Sequence, residues 1–138
     1  MVVEHLLEKL GWDRYNPDEV VFQYPIDEYK VDYALRIANV NKCFIEVKKP
    51  TVENLDNEED QLLKYSYRET VTIAILTNGI EWRFYLPDKR ESHFRERRFY
   101  TLNIKEQQIE SSAERLVELL SRPNVASGEA LNCANKHY

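Results

Sequence analysis

Cysteine is scarce in this sequence. Cys43 and Cys133 stand far apart and outside any CxxC pair, which argues against a zinc site or a disulfide framework. A reducing cytoplasm is the compartment expected for such a chain. Glycine occurs three times in 138 residues, and no GxxxxGK[ST] segment is found. That excludes a P-loop, and with it ATP as a ligand of that kind. No apolar run approaches the roughly 20 residues of a membrane helix, and the N-terminus lacks the apolar stretch of a signal peptide. The histidines His5, His93 and His137 are scattered and never fall at i, i+4, so none is given a metal. Ser111-Ser112 has no histidine partner that would make a nucleophile.

What is present is an ordinary globular composition, 43% hydrophobic and 31% charged, at a length that buries one core but not two. We expect one compact domain over residues 1–121 and a flexible tail over 122–138, where Pro, Asn, Ser and Gly gather without a period. Net charge is −5, yet Lys89 to Arg98, KRESHFRERR, carries +3 and leaves −8 for the rest. Such a stretch can meet phosphates through Lys89, Arg90, Arg95, Arg97 and Arg98. It can equally be a solvated hairpin loop of alternating charge, and the sequence favours neither.

Periodicity maps the elements. Val3, Leu6, Leu7 and Leu10 form an amphipathic first helix, with Gly11 placed to cap it. Strands are expected at VVFQYPI (Val20 to Ile26) and VDYAL (Val31 to Leu35). In the second, Val31, Tyr33 and Leu35 face one way and Asp32, Ala34 and Arg36 the other. A turn near Asn39-Val40-Asn41 leads back into a third strand that Pro50 closes. A helix follows over roughly Asn57 to Arg68, then the apolar strand VTIAIL. Asn78-Gly79 turns into a strand over Ile80 to Leu86, and RFYTLNI gives one more. A final helix, about Glu106 to Leu120, is expected to bury Ile109, Ala113, Leu116, Val117 and Leu120. Trp12 and Trp82 read as core or rim aromatics, the latter alternating with Phe84.

The third strand carries the chemistry. In FIEVKKP, Glu46 and Lys48 stand two apart and leave the same face. If the second and third strands pair, Asp32 can lie beside Glu46, with Cβ atoms about 4.5–5.5 Å apart or roughly 7–8 Å on the diagonal. Two carboxylates so placed suit a magnesium ion, which takes one or two of them and keeps waters and phosphate oxygens for the rest. Lys48 could then hold a water in line with a phosphorus, or take its proton. The other reading is a solvated Glu–Lys pair of little energetic weight.

In order along the chain, VDYAL (Asp32), FIEVKK (Glu46, Lys48), DQLLKYS (Gln61, Tyr65) and ILTNGIEWRFY resemble the PD-(D/E)xK nuclease superfamily. Within it, the chain is similar to the N-terminal nuclease domain of type I restriction-enzyme R subunits. The resemblance runs from the first helix to about Tyr85, and more loosely through the last helix. It implies an α/β (α+β) fold: a restriction-endonuclease-like three-layer core, with a mixed central β-sheet flanked by helices. It also implies Asp32, Glu46 and the Val47 carbonyl as ligands of Mg²⁺, with Mn²⁺ as a substitute, and Lys48 as the residue that places the water. Gln61 would join this catalytic group. Tyr65, Lys49 and the basic stretch would touch nucleic acid, and Glu4 and Glu8 are both candidates for a further acid, though each could equally be a solvated helix residue. Val31 stands where the superfamily's name has proline, and these 138 residues hold no ATP-binding motif of an R-subunit motor. The implied function is a metal-dependent deoxyribonuclease, alone, as a homodimer or with a partner protein that supplies specificity. The alternative is a catalytically silent module of the same fold that binds nucleic acid or assembles with a partner. An RNA-directed nuclease is a third reading.

Overall fold

The computed structural model describes residues 2–52, 54–88, 97–104 and 109–137. Six strands, β1 (Val20–Ile26), β2 (Tyr29–Ile37), β3 (Val40–Val47), β4 (Ile73–Thr77), β5 (Glu81–Tyr85) and β6 (Arg98–Asn103), form one sheet in chain order. Neighbours run antiparallel except β3 and β4, which are parallel. A parallel neighbour cannot be reached by a hairpin. The chain therefore crosses over through a 3₁₀ turn (Asp56–Glu58) and α2 (Glu59–Arg68).

Side-chain alternation sends two apolar sets to opposite faces of the sheet. On one face Leu35, Ile45, Ile75, Trp82 and Phe84 meet α1 (Val2–Lys9), α3 (Ile109–Leu120), α4 (Arg122–Ser127) and α5 (Glu129–His137). On the other, Ala34, Phe44, Ala74 and Leu76 meet Leu62 and Leu63 of α2. Helix, sheet, helix: this is the three-layer restriction-endonuclease-like core. Strand β4 lies in its middle and is buried at every residue, as its unbroken apolar run predicts.

Three expectations need correction. The region 122–138, expected to be a flexible tail, forms α4 and α5 over residues 122–137. Ser121 caps α4 by accepting from the N–H of Asn124, Pro123 sits in its first turn, and Gly128 ends it at φ +87°. Val125, Ala130 and Ala134 then enter the core. The composition that looked like disorder is cap chemistry. Helix α3 buries Ser112, Leu116, Leu119 and Leu120, while Ala113 and Val117 face outward. The β2–β3 turn falls on Ala38 and Asn39, both at positive φ, a two-residue loop whose twist matches the strands it joins.

Candidate active site

A bulge decides which residues meet. Next to the turn, Ile37 pairs Val40 and Arg36 pairs Asn41; then Lys42 is left over, and Leu35 pairs Cys43. The shifted register runs on through Ala34–Phe44 and Tyr33–Ile45, and its continuation sets Asp32 opposite Glu46. Without the extra residue Asp32 would oppose Ile45, whose side chain leaves the other face.

Asp32 sits where β2 stops following simple alternation. Val31 packs with Ala34, not with Tyr33 and Leu35 as predicted. Across from Asp32, Gln23 on β1 adopts φ +52°, an uncommon conformation for a residue with a Cβ. The Asp32 carboxylate is thereby held between both neighbouring strands. Its Oδ2 accepts from the Val47 N–H at 2.7 Å and its Oδ1 from Gln23 Nε2 at 3.1 Å. Glu46 is only 7% exposed. Its Oε1 accepts from the Asp32 N–H at 3.2 Å, and its Oε2 from the Tyr29 hydroxyl at 3.0 Å. Lys48 Nζ lies 3.6 Å from that Oε2.

The electrostatics follow from this crowding. Burial first, and then the adjacent Asp32 carboxylate, push the Glu46 carboxyl up to about 7, against the lowering effect of Lys48 and Tyr29. Burial, followed by the charge and hydrogen bond of Glu46, holds the Tyr29 phenol well above its usual range, so it stays a proton donor. The site opens into a cleft of about 430 Å³ lined by Asp32, Val47, Lys48, Lys49, Gln23 and Glu4 among others. Of the two acids on α1, Glu4 lines the cleft and lies 3.3 Å from Arg14 Nη1, and Glu8 pairs with the same guanidinium at 2.8 Å.

Other predicted residues fare differently. Gln61 is exposed on α2, whose buried side is Glu59, Leu62, Leu63 and Ser66; no hydrogen bond joins it to the acids. Tyr65 reaches the site indirectly, its ring stacked on that of Tyr29 with centroids 4.7 Å apart. Arg98 is half-buried and its Nη1 lies 3.8 Å from Glu59. Arg97 is half-buried just before β6, and its carbonyl accepts from the Leu86 N–H. Lys89, Arg90 and Arg95 lie outside the described residues.

Sequence reading missed Tyr29, Gln23 and Glu58. Tyr29 and Gln23 touch the acids because of the β1–β2 hairpin and its kink; Glu58 lies 3.4 Å from Lys48 Nζ because of the crossover. The dipeptide Asp27-Glu28, a turn signal directly before Tyr29, was the one clue that β2 starts early enough to include it. Also missed was a charged cluster on the same face. Arg83 Nη1 lies 2.7 Å from Asp56 and 3.4 Å from Glu59, its Nε pairs with Glu81, and the Tyr85 hydroxyl donates to Glu59.

Among the described residues no group of three or more His, Cys, Asp or Glu converges. The donor set on offer is two carboxylates and the backbone of Val47. That set fits a magnesium-type ion, which needs few protein oxygens. Each of the four carboxylate oxygens has a donor already, but an ionised carboxylate oxygen accepts twice. Burial and the neighbouring Asp32 carboxylate both disfavour a charged Glu46.

Residues 19–93, more than half of the chain, match the family described as type I restriction enzyme R protein N terminus. The chain belongs to that family. The match opens at β1 and closes beyond β5, so it spans the acids, the lysine and the α2 crossover. Comparison with curated proteins and with solved structures finds no match. Among the described residues no helix is long and apolar enough to cross a membrane.

Proposed function

We propose that this chain is a divalent-metal-dependent nuclease domain that hydrolyses DNA phosphodiesters at the cleft beside Asp32, Glu46 and Lys48. One observation carries the reading: a bulged hairpin brings two acids distant in sequence together, with a lysine 3.6 Å from the second. Asp32, Glu46 and Val47 would hold the ion. When bound, such an ion polarises the phosphate and lowers the pKa of a coordinated water. Tyr29 fixes the Glu46 carboxylate, Gln23 and the Val47 N–H fix that of Asp32, and Lys48 orients the attacking water. Lys49, on the cleft rim, meets a flanking phosphate. Scission of both strands takes two copies or two successive nicks.

Plasmid nicking with Mg²⁺ or Mn²⁺ tests this directly. Glu46→Ala and Lys48→Ala are each expected to lower the rate by about 100-fold or more. Equal nicking by wild type and both variants would remove catalysis from this site, and activity confined to single-stranded RNA would change the substrate.

A second reading has its own support. Every carboxylate oxygen of the pair already accepts from an internal donor, which suits a silent module that binds nucleic acid or a partner protein without turnover. Calorimetry separates the two: Mn²⁺ binding by wild type and its loss in Asp32→Asn supports the nuclease, and no binding by either supports the module.

A further inference from the structure

Lys48 has two acidic partners, and only one belongs to the proposed metal pair. Its Nζ lies 3.6 Å from Glu46 Oε2 and 3.4 Å from Glu58 Oε2. Glu58 ends the 3₁₀ turn of the crossover, and that turn is fastened close to it on both sides. Asp56 is 2.7 Å from Arg83, and Glu59 pairs with the same guanidinium while accepting from Tyr85. Arg83 is 8% exposed and lies in the row Glu46–Leu76–Arg83 that crosses β3, β4 and β5 on one face. The Glu58 carboxylate is thus brought to Lys48 by the fold, not by the lysine alone.

This arrangement bears on a conflict inside the site. An ammonium wholly paired with Glu46 competes with a cation for the same oxygens, and two positive charges sharing one carboxylate repel. A second acid fixed nearby gives the ammonium a place to go without leaving the cleft. We infer that Glu58 is a positioning residue that draws Lys48 off Glu46 when a divalent cation occupies the acids, and keeps the ammonium beside the reacting phosphate. The inference rests on the metal-dependent reading above.

Titration calorimetry of the full chain with Mn²⁺ tests it, using wild type, Glu58→Gln, Lys48→Ala and the double variant, each checked for an unchanged circular-dichroism spectrum. Glu58→Gln is expected to weaken Mn²⁺ binding about two- to fivefold, the range of a partly exposed ion pair. In the Lys48→Ala background the same change is expected to have no effect, because the competing ammonium is gone. Equal affinity of wild type and Glu58→Gln would overturn the inference. So would an undiminished loss in the Lys48→Ala background, which would make Glu58 act on the ion directly. Absence of Mn²⁺ binding by wild type would overturn the metal reading itself, a failure visible without any variant.

Discussion

At the scale of single residues, Glu46 governs how the site responds to pH. Its carboxyl is raised from an ordinary value near 4.5 to about 7, by burial and then by Asp32. Between those values the folded chain holds a proton that the unfolded chain has released, so this group's contribution to stability falls as pH rises through the window. The loss by pH 8 is on the order of 3 kcal/mol. Glu46→Gln cannot ionise and escapes it. Thermal melts are expected to show the variant gaining on wild type at pH 8 and losing that advantage at pH 5; an equal difference at both would refute the assignment. That Asp32, Glu46 and Lys48 could lie together was legible from strand alternation and cross-strand pairing, but the bulge that brings the two acids to one face was not. Nor were Tyr29, Gln23 and Glu58. Their contacts depend on a positive φ at position 23, an early strand start and a crossover turn, none of which has a period.

At the scale of elements, α2 is bound to the sheet by charge as well as by Leu62 and Leu63. Glu59 is fully buried, and Arg83 is its main counter-charge. Glu59 stands in the first turn of this helix, and the fold turns it into the sheet. Arg83→Met removes the nearer of the two guanidinium groups beside this buried carboxylate and is expected to cost about 3–5 kcal/mol in urea unfolding. Adding Glu59→Leu is expected to restore part of that loss, since an apolar pair replaces a broken ionic one. Equal stability of the single and double variants would show that the stranded charge is not the cause. The hairpin bulge at Lys42 was equally hidden. Polar and charged residues around a turn specify that a turn exists, not which residue is left unpaired, and here that choice decides whether the two acids share a face.

At the scale of the whole molecule, the C-terminal helices close the core. The Trp12 indole N–H donates to the Leu120 carbonyl at 2.9 Å, the Arg122 N–H donates to the Leu10 carbonyl at 2.9 Å, and Arg122 Nε lies 3.1 Å from Glu19. These contacts join the two ends of the chain across one face. Removing residues 122–138 is therefore expected to lower Tm by about 10 °C or more, through lost burial of Val125, Ala130 and Ala134. An unchanged Tm in a scanning-calorimetry run would return that region to the status of a loose tail. The parallel β3–β4 pair has a consequence of another kind, in time. The β2–β3 hairpin closes over two residues, and hairpins form in about 1–10 μs. Strand β4 docks only after the far longer crossover has been laid down, and long-range pairing of that sort is slow. During refolding the two acids are therefore expected to meet before the arm bearing Glu58 docks beside them.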